Sequence, residues 1–243
     1  MDNRRFYLLT LLPPLPALGE QPAVTLPEAL GLLRQQGGRD FELLADTLGA
    51  ENELRDALAE WVRNTPVTRS APAALPPFLT ALFDEERIAD FAEDAWVDAV
   101  WQAWFGEVAH AGLSIGSRLL PRWVAWETAL RSRLARRRAG GGAEDEPRVT
   151  LDEPGDPPDL DAVVAAWHAA REQGAAEGPL PVAVEAELLL ERARLDFLDA
   201  EDPRYSFSLD ELVAYLLKLR LLDRRARLEP EAGRSLLRRA VAL

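Results

Sequence analysis

The sequence predicts an all-α fold, a bundle of several helices, on three observations. Ala, Leu, Glu and Arg dominate the composition, and these residues lose little rotamer freedom in a helix. Val and Ile are sparse, and no run alternates apolar and polar residues long enough to mark a substantial sheet. Apolar residues recur instead at helical spacing along tracts bounded by capping residues. With 243 residues, 48% of them hydrophobic, the chain has the material for one large domain or two smaller ones.

Taken in order, Phe6–Leu12 reads as either a short strand or the first turns of a helix. Pro13, Pro14 and Pro16 then force an extended segment. Thr25-Leu26-Pro27-Glu28 opens the next helix as a capping box, with proline where its missing N–H matters least, and Gly37–Gly38 stops it. Asp40–Leu48 is expected as a short helix ending at Gly49, followed by a second over Glu51–Arg63. Val67–Pro77 is a loop rich in Pro, Ala, Ser and Thr. Leu75–Phe83 leads into a long helix, Glu85–Ala109, whose Ile88, Phe91, Trp96 and Trp104 recur at helical spacing. A break at Gly112–Gly116 precedes Leu119–Arg138, with Trp123, Trp126 and Leu130 inward. These two helices are expected to pair antiparallel and to bury the aromatic residues as core.

Ala139–Pro158 is glycine, acid and proline, with too little apolar content to offset ordering entropy. It divides the chain into an N-terminal helical region, 1–139, a linker, 140–158, and a C-terminal helical region, 159–243. Leu160–Gln173 and Val182–Asp199 are amphipathic helices separated by Pro179 and Pro181. Pro203 ends the pair, and a last helix spans about Pro230–Ala242.

The clearest helix is Ser206–Leu228. Ser208 and Glu211 have capping-box spacing, acids occupy the first turn, and Arg220, Arg224, Arg225 and Arg227 crowd the end, matching the helix dipole. Leu212, Val213, Leu216 and Leu219 mark one face, and Tyr215, Leu217, Leu221 and Leu222 cover much of the rest. A helix apolar nearly all round is buried among others.

No cysteine is present, which excludes disulfides, thiol nucleophiles and cysteine-ligated metals. The net charge of −13 argues against nucleic acid and against unaided adhesion to anionic lipid. The start MDNRRFYLLTLLPPLP resembles a signal peptide only superficially, and no stretch approaches a membrane span, so a cytoplasmic protein is expected. Arg131, Arg133, Arg136, Arg137 and Arg138 end one helix. Such clusters serve as helix-end complements and solvated faces, or as docking sites for acidic partner surfaces.

Candidate chemistry is thin. Gly112-Leu113-Ser114-Ile115-Gly116 fits the nucleophile-elbow pattern, but helix precedes it rather than a strand, and an interhelical turn accounts for it. Glu107-x-x-His110 is a single copy of a motif that di-iron bundles use twice, and His168 with Glu172 is a pair on a helix face with too few ligands for a metal. Glu144-Asp145-Glu146 lacks the spacing of a calcium loop. Gly140–Gly142 lacks the Lys-Ser/Thr pair of a phosphate loop. No catalytic residue, metal or cofactor is expected.

Phe207-Ser208-Leu209-Asp210, Ala214-Tyr215-Leu216-Leu217-Lys218-Leu219 and Asp223-Arg224-Arg225 together resemble the C-terminal helix of the central-stalk C-type subunits of V/A-type ATPases (d-type in eukaryotes). Gly233-Arg234-Ser235 with Leu236, Leu237 and Arg238 resembles the segment that follows it. Arg118-Leu119-Leu120-Pro121-Arg122-Trp123 with Leu130–Leu134 resembles that family's helix after its internal turn. Phe6-Tyr7-Leu8-Leu9 with Leu12-Pro13-Pro14-Leu15 is similar to a bacterial domain of unknown function encoded beside V-type ATPase genes. The resemblance implies an all-α, funnel-like protein without catalytic residues. Such a protein sits on the membrane rotor ring and holds the foot of the central shaft, so that torque passes between ATP chemistry and ion transport. The chain is shorter than typical members of that family, which implies a reduced form. Its partners would be the shaft subunits and the rotor ring, with the inner membrane reached only through them. An adaptor or assembly factor for the same complex is the alternative. The residues expected at partner interfaces are Phe6, Tyr7, Arg122, Arg136, Arg137, Arg220, Arg224 and Arg225.

Overall fold

The computed structural model describes residues 3–63, 77–83, 93–138, 159–174 and 179–227, and every regular element among them is helical. They are α1 (Asn3–Leu11), α2 (Leu26–Gln36), α3 (Arg39–Arg63), α4 (Pro77–Thr80) with a 3-10 turn (Ala81–Phe83), α5 (Glu93–Ile115), α6 (Leu119–Arg138), α7 (Leu160–Gly174), α8 (Pro179–Glu201) and α9 (Leu209–Arg227). The fold is an all-α multi-helix bundle. The expected helix at 230–242, the linker at 140–158 and the loop over 67–76 lie outside the described residues. Two compact units form, one from Met1–Ala29 with Ala125–Leu243 and the other from Leu30–Val124, so the grouping does not follow chain order.

In the Leu30–Val124 unit, α3 is one helix through Gly49, not two. A glycine inside a helix costs about 1 kcal/mol relative to alanine. Burial of Phe41, Leu44, Leu48, Leu54 and Leu58 outweighs that cost. A Cβ at Gly49 would lie 3.5 Å from Leu30 Cδ1 of α2, an ordinary contact, so the helix passes through this position without needing glycine there. The helix expected to end at Ala109 runs further, and the expected break at Gly112–Gly116 narrows to its last residue. α5 runs through Gly112 to Ile115 and stops at Gly116, whose φ of +75° is cheap only for glycine. Gly116 N–H donates to Leu113 O at 3.2 Å and Ser117 N–H to Gly112 O at 2.9 Å, the two bonds of a Schellman stop. Ser117 Oγ then accepts from Leu120 N–H at 3.1 Å and starts α6.

The aromatic core expected between these helices forms here. Trp104, Phe105 and Trp123 meet with ring centroids 4.9 to 6.4 Å apart. Trp96 lies edge-on to Phe83 at 5.1 Å and donates Nε1–H to Leu82 O at 2.6 Å. α5 packs chiefly on α3, and it approaches α6 closely around Gly112.

In the other unit, α8 packs against α7 and α9, and α1 lies on α9. The Phe6–Leu12 stretch resolves as helix through Leu11, with Leu8 buried. Pro179 and Pro181 do not separate two helices but form the first turn of α8, where a missing N–H breaks no intrahelical bond. Trp126, one turn beyond Trp123 on α6, stacks on Phe197 of α8 at 4.8 Å. The expectation for α9 holds on nearly all sides. Leu209, Leu212, Val213, Ala214, Leu216, Leu217, Leu219, Leu221 and Leu222 are buried.

Both capping boxes form, one of them altered. Thr25 N–H donates to Glu28 Oε2 at 2.8 Å and Glu28 N–H to Thr25 Oγ1 at 3.4 Å, the reciprocal pattern. Those bonds from Thr25, the backbone one foremost, hold the Glu28 carboxyl below its usual range. At α9, Glu211 N–H donates to Ser208 Oγ at 3.3 Å. The Glu211 carboxylate instead reaches past Ser208 to Phe207 N–H at 2.6 Å and Tyr205 N–H at 3.0 Å.

A Cβ at Gly112 would lie 2.9 Å from both Leu120 Cβ and Pro121 Cδ, atoms with little freedom to retreat. Gly112→Ala is expected to lower stability by about 1 kcal/mol net, overpacking exceeding the helix-propensity gain. Gly106, with nothing within 4 Å of its Cβ position, is the control. Gly106→Ala is expected to stabilise by about 0.5–1 kcal/mol in the same urea titration.

Candidate functional site

A cleft of about 630 Å³ lies between the Pro13–Leu18 segment and the facing parts of α8 and α9. Its walls mix Leu9, Pro14, Leu195 and Leu222 with Asp199, Asp202, Arg204 and Lys218. Tyr215 of α9 ties down the proline segment by donating its hydroxyl to Pro13 O at 2.8 Å. Burial pushes the Tyr215 phenol up to about 12, so the donor form persists throughout the physiological range. Lys218 spans Asp199 at 2.6 Å and Asp202 at 2.7 Å, joining α9 to the end of α8.

Beside the cleft, the loop before α9 carries two aromatic residues in left-handed backbone, Tyr205 at φ 61° and Phe207 at φ 52°. Bulky residues adopt this region rarely and at a cost. The two Glu211 bonds to their N–H groups hold it in place. Tyr205 is 87% exposed. Phe207 meets Phe6 of α1 with ring centroids 4.8 Å apart. Phe6, Tyr7 and Leu11 are each about half exposed, while Leu8 on the opposite side of α1 is buried. The result is an aromatic and aliphatic face shared by α1 and the loop.

The arginines expected at interfaces differ in their surroundings. Arg137 is exposed at the end of α6, while Arg122, Arg136 and Arg220 are half-buried. Arg224 turns inward to Glu187 at 3.2 Å, and Arg225 stands 3.9 Å from Glu191. α9 brings Arg224 and Arg225 together, and both face carboxylates of their own chain rather than standing free for a partner.

Charged groups buried in this unit gave no signal in the sequence. Glu127 of α6 and Arg194 of α8 form a bidentate pair, at 2.9 and 3.0 Å, with 2% and 7% of their side chains exposed. Arg131 adds a bond to Glu127 at 2.8 Å. Burial alone pushes the Glu127 carboxyl up, but Arg194 and Arg131 together outweigh it and hold the group at about 2. Arg194 is correspondingly raised, the pull of Glu127 overcoming its own desolvation. Asp223 of α9, 6% exposed, accepts from Leu26 N–H at 3.4 Å and so meets an unpaired donor at the start of α2.

The nucleophile-elbow pattern has no elbow geometry. Ser114 lies within α5 and donates its hydroxyl to His110 O at 2.9 Å, four residues back. His168 Nε2 is 3.4 Å from Glu172 on the same helix face. Among the described residues no group of three His, Cys, Asp or Glu is arranged to hold a metal ion, and no helix is long and apolar enough to cross a membrane. No protein family, curated protein or solved structure matches this chain.

Glu127→Ala leaves Arg194 buried without its anion and is expected to cost about 3–5 kcal/mol in chemical denaturation. The pH dependence follows from the depressed Glu127 value. Its contribution is full above the ordinary glutamate range and is lost as pH falls from there to about 2. Acid unfolding monitored by circular dichroism should therefore show a component in that window that Glu127→Ala lacks. Tyr215→Phe is expected to cost about 1 kcal/mol and to speed protease cleavage in the Pro13–Leu18 segment relative to the rest of the chain.

Proposed function

We propose that this chain is a non-catalytic docking protein, and that its partner is a bacterial V/A-type ATPase, in which it serves on the central stalk between the shaft and the membrane rotor ring. The observation that carries the docking role is the exposed face of Phe6, Tyr7 and Leu11, continued by Phe207 and by Tyr205 at 87% exposure. Aromatic residues held outward at the cost of strained backbone favour a contact surface. The identity of the partner rests on the resemblance of the α9 and α6 segments to the central-stalk C-type family. In this reading the protein is cytoplasmic and meets the inner membrane only through the complex. A transient adaptor or assembly factor is the second reading. It is favoured by the inward turn of Arg224 and Arg225, which withdraws part of the resembling helix from a permanent socket.

A pull-down of the tagged chain in mild detergent is expected to recover the shaft and ring components. Phe6→Ser with Tyr7→Ser should reduce that recovery at least about tenfold, the loss of one or two buried aromatic anchors. Recovery of neither component by the unaltered chain would sink the proposal. Recovery from cell extract, with absence from the purified mature complex, would select the assembly factor.

A further inference from the structure

We propose that Glu191 is an internal proton-binding site that sets how tightly α9 closes on α8. This inference is independent of the partner assigned above. Glu191 is 1% exposed, and neither carboxyl oxygen has a hydrogen-bond partner among the described residues. The nearest cation, Arg225, stands at 3.9 Å, beyond hydrogen-bond reach, and its Nε is also buried without a hydrogen bond. Arg194, three residues along α8, commits Nε and Nη2 to Glu127, and its remaining Nη1 is a further buried atom without a hydrogen bond. Four buried polar atoms on the facing helices α8 and α9 are thus left without a hydrogen bond.

Buried polar groups are normally satisfied, so such a cluster calls for an explanation. An ionised carboxylate here lacks the hydrogen bonds that would offset its desolvation. Taking a proton from solvent converts it to a carboxylic acid, which removes the charge and adds an O–H donor. The facing charges do not reverse that preference. On α8 itself they are Glu187, which opposes ionisation, and Arg194. On α9 they are Arg224 and Arg225. On α6, Glu127 and Arg131 act through Arg194. Arg224 is held by Glu187 at 3.2 Å. Burial, as the largest influence, pushes the Glu191 carboxyl above its ordinary range despite Arg225.

With the folded-state value raised, the folded chain keeps a proton that the unfolded chain releases. The stabilising contribution is therefore full below the ordinary glutamate range. It declines as pH rises from there through the raised value. Once ionised, Glu191 is satisfied only if water enters or Arg225 moves, and either loosens the half of α9 that carries Arg220, Arg224 and Arg225.

Thermal unfolding of the full chain and of Glu191→Gln between pH 4.5 and 8.5 tests this. The variant is expected to melt higher than the unaltered chain at pH 8 by about 3 °C or more, and the gap should close toward pH 4.5. A gap that is constant or widens in acid, or a variant that melts lower at pH 8, overturns the proposal, since Glu191 is then a held ion or plain packing. Glutamate carboxyl 13C shifts of the unaltered chain give a second measurement that needs no variant to fold. One glutamate titrating above the ordinary range supports the site, and all titrating within or below it overturn it.

Discussion

Glu127 and Arg194 share a bidentate pair almost wholly withdrawn from water, and the unit built around α9 depends on it. Each charge alone in that setting would cost several kcal/mol, so the two helices that bear them, α6 and α8, have one register in which both are satisfied. Arg131 completes the carboxylate from outside. Once this register is set, Trp126 meets Phe197, and the apolar surface of α8 is presented to α9. A wrong register would strand an ion in a leucine core, a larger penalty than any single lost apolar contact.

α9 fits that surface because it has little polar face to keep wet. Its polar exceptions each tether a separate piece of chain. Tyr215 holds Pro13, Lys218 holds Asp199 and Asp202, Asp223 meets the start of α2, and Arg224 holds Glu187. The helix therefore joins the N-terminal segment to the C-terminal helices through single directed bonds laid over non-directional burial. Glu191 is the exception, a carboxyl on α8 for which α9 brings a guanidinium near but not into contact. Both of its carboxyl oxygens are buried without a hydrogen bond, which makes it the natural point for pH to act.

The outward chemistry is of a different kind. It includes Phe6, Tyr7, Leu11 and Tyr205, with Phe207 half-buried against Phe6, side chains suited to covering by another surface rather than to bond making. Ser114 and His168, the residues that most resembled catalytic parts in the sequence, commit their polar atoms within single helices. Interaction is the role proposed for this face. The V/A-type ATPase remains the partner that the sequence resemblance proposes.

Local residue spacing marks the helical class, most helix positions, the Thr25–Glu28 cap and the all-round burial of α9. Each depends on residues three or four positions apart, where spacing is geometry. Helix ends expected near Gly49 and Gly112 came too early because a glycine reads as a stop, whereas burial on both sides carries α3 through Gly49 and α6 needs the space that the missing Cβ of Gly112 leaves. Phe6 and Tyr7, expected at a partner interface, are about half exposed, while Arg224 and Arg225, expected there too, face Glu187 and Glu191, and no local pattern marks those partners. The long-range pairings follow from packing. Glu127 and Arg194 lie 67 residues apart, Leu26 and Asp223 197, and Pro13 and Tyr215 202. At such separations no local pattern marks the partner, and packing alone selects which buried charges meet.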